Sequence, residues 1–320
     1  MQGSSDMNTL PVRKASEIVK SSSVKWLVQS LWTQQAVGLI VGQPKSGKSW
    51  LALDFAVSVA SGTAVLGKFC VQNHGPVLIF PAEDNITAVR DRLAGICKYR
   101  GVDLEKLYIW MIGSFTLHLD TAKDREALEN TLCKIRPSLL ILDPLIRIHN
   151  LDENSATEIA KVLSFLRTLQ RKYSVAVLLV HHAKKSPSAD PGLGLRGSSE
   201  IRAWADSILY LQRKKNLELV VEHRAAPSPE SFKLSLATND ASTVHLSIEG
   251  SSVETVKPDL KEQILKVIQK HGLSLSREYI RRKVGVQYQK VCDALKELEK
   301  DHLIEKTEKG YALKNCKCPF

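Results

Sequence analysis

No apolar run in these 320 residues approaches the ~18–20 residues that a membrane-spanning helix needs. The first residues, MQGSSDMNTLPVRKAS, lack the charged, apolar and small-residue order of a secretory signal. The chain therefore reads as a cytoplasmic protein with no membrane partner. Cysteine is sparse, with six residues, and Cys70, Cys97, Cys133 and Cys292 fall singly inside apolar or helical stretches. That pattern reads as reduced core cysteine and not as a disulfide framework. Cys316 and Cys318 could hold a metal only with two further ligands, and no His or Cys cluster at finger spacing supplies them. Acidic residues are the scarcer sign, 34 Asp plus Glu against 45 Lys plus Arg, so the net charge is +11. An acidic polymer becomes a candidate partner, the alternative being a solvated basic surface with no specific one. A content of 43% hydrophobic and 25% charged residues excludes disorder as a main theme, and the length suggests two domains.

Residues 1–23 are polar and Ser-rich and read as a flexible lead-in, after which Val24 to Trp32 turns apolar, with a Trp pair expected to pack on the main domain. From Ala36 to about Leu236, β-branched or Leu-rich runs alternate with helical stretches, as βα units feeding a parallel sheet do. The strand candidates are Val37 to Val41, Pro76 to Phe80, Leu107 to Met111, Leu139 to Leu142 and Val175 to Val180. Four more come after them with little helix between, near Ser207 to Gln212, Leu217 to Glu222, Phe232 to Leu236 and Val244 to Ile248. The predicted fold class is α/β, with one mixed, mainly parallel sheet ending in a hairpin-rich edge. This main domain is placed at 24–250. Residues 251–259 are polar, carry Pro258 and lack periodicity, so they read as a linker. From 260 to 314 the pattern is three helices and a two-stranded wing, a winged helix-turn-helix, with a tail at 315–320.

The segment Gly42-Gln43-Pro44-Lys45-Ser46-Gly47-Lys48-Ser49 matches G-x-x-x-x-G-K-[ST] between the apolar strand VGLIV and the helical run that starts at Trp50. Such a loop turns backbone N–H groups inward around phosphates, and the helix N-terminus adds positive dipole. Lys48 then reaches the β and γ phosphates while Ser49 ligates magnesium. Leu139-Leu-Ile-Leu-Asp143 is an apolar strand ending in a carboxylate, the Walker B form, which makes Asp143 the second metal ligand. Pro76-Val-Leu-Ile-Phe-Pro-Ala-Glu83-Asp84 is another strand running into carboxylates. A place beside the P-loop strand would bring Glu83 close enough to orient the attacking water. Glu83 or Asp84 could instead cap the next helix, or Glu83 could act while Asp84 or Asn85 caps. The strand from Val175 ends in His181-His182, where an imidazole could sense the γ-phosphate.

In that order, GQPKSGKS, FPAED, LLILD, VHHAKK, LRGSS and VEHR resemble the RecA-like ATPases of the plasmid RepA type, relatives of the DnaB replicative helicases. The resemblance covers roughly Val24 to Ser247. It implies that Glu83 is the general base, Asp143 the Walker B acid and His182 the sensor, with Arg92 contacting the adenine. Arg224 matches an arginine finger reaching the nucleotide of a neighbouring subunit, which implies a ring, most simply a hexamer, with ATP between subunits. DnaB-type relatives carry a Lys two residues before this Arg, whereas this chain has Glu222, which leaves Arg224 alone. The loop from Ala183 to Arg196 holds Lys184, Lys185 and Arg196 and resembles one that lines a central channel and meets a strand's phosphates. Arg147 and His149 join it in this expectation, a solvated loop being the alternative.

From Asp259 onward there are 14 Lys plus Arg against 9 Asp plus Glu, a net +5 that leaves +6 on the other 258 residues. Arg277, Arg281, Arg282 and Lys283 are placed for phosphate contacts, and Tyr288, Gln289 and Lys290 after Gln287 for reading bases from a helix N-terminus. Lys306 and Lys309 would sit on the wing. A winged helix used for protein contacts is the alternative. The expected function is magnesium-dependent ATP hydrolysis by a ring acting on DNA, as a helicase or translocase in replication. The alternatives are an ATP-switched DNA-binding regulator or initiation factor that does no unwinding, and a KaiC-like phosphotransferase.

Overall fold

A computed structural model describes residues 11–18, 24–153, 155–183, 199–213, 215–224, 226–238, 243–249, 260–271, 274–286, 288–300, 303–307 and 310–313. The chain divides into two compact units, 1–250 and 251–320. The first unit runs β1 (Trp26–Val28), β2 (Trp32–Thr33), β3 (Val37–Gly42), α1 (Lys48–Ser61), β4 (Val77–Pro81), α2 (Ile86–Arg100), β5 (Ile109–Met111), α3 (Ala122–Ile135), β6 (Leu139–Asp143), α4 (Ala156–Tyr173), β7 (Ala176–His182), α5 (Ser199–Trp204), β8 (Ser207–Arg213), β9 (Leu217–His223), β10 (Phe232–Thr238) and β11 (Val244–Ile248).

Nine of these strands form one sheet in the order β11-β10-β9-β8-β3-β7-β6-β4-β5. From β8 to β5 every pairing is parallel, while β9, β10 and β11 add antiparallel. This is the anticipated α/β class with a mixed, mainly parallel sheet. All six residues of β3 are buried, because helices cover both of its faces and a strand so placed must be apolar throughout. One face packs Phe55, Leu51 and Leu93 of α1 and α2, and the other packs Leu128, Leu132, Leu163 and Leu166 of α3 and α4. Trp32 is fully buried, its ring 5.9 Å from Phe55 in an edge arrangement, and Trp26 meets His223 at 5.4 Å. The Trp pair thus packs on the sheet domain as its apolar neighbours suggest. Among the described residues no helix is long and apolar enough to cross a membrane.

Two differences from the sequence reading have physical causes. β5 begins at Ile109 instead of Leu107, because Asp103 accepts a hydrogen bond from the Glu105 N–H at 3.1 Å and sets a 3₁₀ turn over Leu104–Lys106. Of the four expected core cysteines only Cys97 is buried, Cys292 is half-buried, and Cys70 and Cys133 are exposed. Cys133 adjoins Leu132 on α3 but lies off the stripe that Leu128 and Leu132 bury. Burial pushes the Cys97 thiol up to about 11. A thiol-alkylating reagent at pH 8 should therefore modify Cys70 and Cys133 and leave Cys97 unmodified until denaturant is added, as peptide mass spectrometry would read; labelling of native Cys97 at their rate would refute the placement.

The second unit consists of α6 (Leu260–His271), α7 (Arg277–Val284), α8 (Tyr288–Lys300), β12 (Ile304–Thr307) and β13 (Gly310–Leu313), the two strands pairing antiparallel. Ser276 caps α7 by accepting from the Tyr279 N–H at 3.3 Å, and Gly285 ends it in the left-handed region at φ 70°. Ile264, Ile268, Ile280, Val291, Leu295, Leu298 and Ile304 close a core of their own.

Candidate functional site

The loop after β3 is shaped by what its residues leave out. A Cβ on Gly42 would stand 2.5 Å from Ser46 Oγ and 2.7 Å from the Leu211 carbonyl oxygen, so only glycine lets the strand end fold so tightly. Gly47 precedes α1 at φ 89°, a left-handed conformation that turns the loop into the helix. The Lys48 ammonium, itself buried, donates to the Gln43 carbonyl at 2.8 Å. Its burial lowers its pKa, and the nearby Asp143 and Glu83 carboxylates oppose that shift. The buried Ser46 hydroxyl has no partner among the described residues. A cradle of turned-in backbone with an orphan hydroxyl and a buried cation at its base suits a polyphosphate.

Sheet order decides who joins this loop. β7 lies beside β3 with Gly42 opposite His182, which brings His182 to the cavity rim. β4 is not the neighbour of β3, because β7 and β6 come between them. Glu83 reaches the cavity by another route. β4 pairs with β6 so that Pro81 faces Asp143, and the Ala82 N–H donates to the Asp143 carbonyl at 2.8 Å. The helix after Glu83 is capped by Asn85, which accepts from the Thr87 N–H at 2.8 Å. Neither Glu83 nor Asp84 is spent on that cap. Glu83 instead accepts from Arg147 Nε at 2.9 Å, and Asp84 pairs with Arg92 at 2.5 Å. The Arg92 guanidinium also stands 5.6 Å from the centre of the Trp50 ring.

Burial raises the Asp143 carboxyl to about 6, against the lowering effect of a hydrogen bond from the Ser49 hydroxyl. A hydroxyl and a carboxylate in contact, the latter short of solvation for its charge, form a hard oxygen pair suited to magnesium. Among the described residues no group of three or more His, Cys, Asp or Glu could hold a metal ion, so Ser49 and Asp143 would hold it together with nucleotide phosphates. The whole arrangement opens into a cavity of about 810 Å³ lined by residues 44–50, Glu83, Asp84, Arg92, Asp143 and His182.

The antiparallel strands supply a wall that sequence reasoning missed. Arg213, Lys215 and Asn216 from the β8–β9 turn, with Ser235 and Glu249, line the same cavity. A Cβ on Gly47 would lie 3.7 Å from Leu246 and 3.9 Å from Leu217, so these strands pack directly on the phosphate loop. The basic run from Arg213 to Lys215 between two strands was the signal available.

Other expected residues are placed elsewhere. Because β9 runs antiparallel to β8, with His223 opposite Ser207, Arg224 emerges at the opposite end of the sheet from the phosphate loop. There it pairs with Asp206 at 3.5 Å and donates to the Ala203 carbonyl. Glu222, where a second cation would stand, pairs with Arg202 at 3.1 Å. His149 does not line a channel, being only 4% exposed. Its Nδ1 accepts from the Leu151 N–H at 3.2 Å, and burial holds its ring below the usual imidazole range. Lys184, Lys185 and Arg196 lie outside the described residues. In the second unit Arg281, Arg282, Lys283, Tyr288, Gln289, Lys290 and Lys306 are at least partly exposed. Arg281 and Arg282 share Glu278 at 3.4 and 3.8 Å, and Gln289 donates to Asp293 at 3.2 Å. Arg277 Nε donates to the Tyr311 hydroxyl at 3.0 Å; Lys309 lies outside the described residues.

Comparison with known proteins adds a family. A family model described as an AAA domain matches residues 5–188. The chain is similar in structure to a RadB recombinase, at 17% identity and TM-score 0.47 over 64% of this chain and 88% of that one. It is similar to a KaiC-like protein from the hyperthermophilic archaeon Pyrococcus horikoshii OT3, at 17% identity and TM-score 0.47 over 74% and 99%. A DnaB-like replicative helicase matches at 16% identity and TM-score 0.49 over 64% of this chain and 56% of the helicase.

Proposed function

The chain belongs to the AAA domain family, and from that premise we propose that it is a RecA-like, magnesium-dependent ATPase of the plasmid RepA type that forms a ring, a hexamer in its simplest form, and moves on or unwinds DNA. The observation that carries this reading is the meeting of Lys48, Ser49, Asp143 and Glu83 at one cavity of about 810 Å³. Lys48 and the loop N–H groups hold the polyphosphate. Ser49 and Asp143 hold magnesium, which when bound supplies charge to the phosphoryl oxygens. Glu83 orients the attacking water. His182, opposite Gly42 in register, senses the γ-phosphate, and Arg92 with Trp50 receives the base. Arg224 completes the site of the neighbouring subunit. Single-stranded DNA passes the Lys184, Lys185 and Arg196 loop. The second unit acts as a winged helix that meets duplex DNA through Arg281, Arg282, Tyr288, Gln289 and Lys290.

Turnover measured with and without single-stranded DNA, with strand displacement on a forked duplex, tests this reading. The motor reading expects DNA to raise turnover several-fold and the fork to open only with ATP and magnesium. Turnover indifferent to DNA, with duplex binding retained through the exposed cations of α7 and α8, would replace it by the ATP-switched regulator.

A further inference from the structure

Where the two-stranded wing meets α7, one arginine differs from its basic neighbours. Arg281 and Arg282 share Glu278, whereas among the described residues no carboxylate acts on Arg277, whose partners are two phenols. Backbone pairing brings the first of them to it. Leu275 and Tyr311 exchange two backbone hydrogen bonds, each of 2.9 Å, which tie β13 to the chain two residues before Arg277. A Cβ on Gly310 would stand 2.2 Å from the Leu275 carbonyl oxygen, so only glycine lets the wing approach so closely. The Tyr311 ring is 4% exposed and belongs to the core of this unit, which fixes the place of its hydroxyl. Arg277 Nε donates to that hydroxyl at 3.0 Å, its guanidinium carbon 5.6 Å from the ring centre. The hydroxyl of Tyr288, the first residue of α8, bonds the same guanidinium. Two bonds thus hold a side chain that otherwise has many rotamers. What they leave over is donor chemistry alone. A guanidinium has five N–H groups in one plane, and a phenol that accepts from it keeps its own O–H to give. Lys306, opposite Tyr311 in the β12–β13 register, is exposed. A held cation with spare donors and no carboxylate to neutralise it suits a phosphate group.

We propose that Arg277 grips one backbone phosphate of duplex DNA where α7, α8 and the wing meet, and that Tyr311 and Tyr288 are positioning residues that hold its guanidinium for that phosphate. The proposal rests on the reading of the second unit as one that meets duplex DNA, and it adds a contact that is indifferent to base sequence. Immobilising a long side chain on binding costs about two- to tenfold in affinity. An arginine already tied by two phenols loses little further freedom when the phosphate arrives.

The test is binding of the full chain, without nucleotide, to a short labelled duplex of mixed sequence, followed by fluorescence anisotropy over a range of salt. Arg277→Ala is expected to weaken binding about tenfold and to make the slope of log binding constant against log salt shallower by about 0.9, one phosphate on a duplex. Tyr311→Phe keeps the buried ring and removes only the hydroxyl. It should weaken binding about two- to tenfold with the slope unchanged, since the charge remains. In the Arg277→Ala background the same change should have no further effect, because a positioning residue then has nothing to position. A merely structural tyrosine would weaken both backgrounds alike. Wild-type affinity and slope in Arg277→Ala, or a Tyr311→Phe effect that is the same with and without Arg277, overturns the proposal, while loss of duplex binding in the Arg281→Ala, Arg282→Ala double variant keeps the underlying reading intact. A wild type that binds no duplex, or duplex binding that the double variant leaves unchanged, overturns that reading and the proposal with it.

Discussion

Arg224→Ala should lower ATP turnover by about 10³–10⁵-fold, the effect of removing an arginine that stabilises transition-state charge from outside the site, while nucleotide binding stays within about twofold of the wild type. The geometry makes a cis role impossible. Arg224 comes after β9, which runs against β8, and it emerges where His223 faces Ser207, at the end of the sheet away from Gly42 and Lys48. It is 57% exposed and meets Asp206 only at 3.5 Å, whereas Asp206 keeps a shorter bond to Arg167 at 2.6 Å and accepts from the Val37 N–H at 3.1 Å. Removing Arg224 should therefore cost little stability, and lost turnover would not report unfolding. Mixing separates a finger in trans from any other role. Lys48→Met subunits lack a working phosphate loop but carry Arg224, and Arg224→Ala subunits have the reverse defect. Each alone should be inactive, and an equal mixture should recover up to about a quarter of wild-type turnover, because in a head-to-tail ring that fraction of interfaces joins the two intact halves. A mixture as inactive as its components would remove the ring reading, and an equal loss of nucleotide binding and turnover in Arg224→Ala would remove the finger.

The phosphate loop and the Walker B strand were legible because each motif includes its own local context. Gly42 to Ser49 lies between an apolar strand and a helix, and Asp143 closes a run of four apolar residues. Neither needs information from elsewhere in the chain. What was not legible depends on sheet order. That Glu83 enters beside Asp143 and not beside the phosphate loop is due to β7 and β6 lying between β3 and β4, and no local pattern encodes such an arrangement. The wall from Arg213, Lys215 and Glu249 comes from strands about 170 to 200 residues beyond the loop, brought to it by the β3–β8 pairing.

Local features had local causes, and the Asn85 cap, unlike the places of His149 and Cys133, was among the alternatives that the sequence offered. Asn85 caps α2 because its side chain is one of the few that can accept from the second helical N–H. His149 is buried beside Ile148, in a turn whose Leu145 and Ile148 face inward, so that only Ile146 and Arg147 of residues 145–149 are exposed. Cys133 was expected inside because α3 carries leucines nearby, but the helix buries only the stripe through Leu128 and Leu132, and the next residue along lies about 100° from it.

The same dependence on distant residues governs stability, and its strongest case is Arg100→Ala, which should destabilise the larger unit by about 3–5 kcal/mol. Arg100 is the last residue of α2, and its side chain reaches the middle of α1, where its guanidinium bonds Asp54 and the Ala64 carbonyl and donates to Thr63 Oγ1 at 3.1 Å. The pair is 6% and 2% exposed. Asp54 also accepts from the Leu66 N–H at 2.7 Å, so one buried carboxylate ties two helices to the turn after α1. Truncating the arginine leaves that buried charge without a counterion, which is why the loss exceeds that of an exposed pair. Asp54→Asn in the Arg100→Ala background removes the uncompensated charge while keeping an oxygen for the Leu66 N–H. The double variant should therefore be more stable than Arg100→Ala alone, by about 1–2 kcal/mol. All five tryptophans, at 26, 32, 50, 110 and 204, lie in the larger unit, so intrinsic fluorescence during urea unfolding tracks that unit alone. A shift below about 1 kcal/mol in Arg100→Ala would place the pair in the exposed class, and a double variant less stable than the single one would show that the charge on Asp54 is not what the truncation leaves stranded.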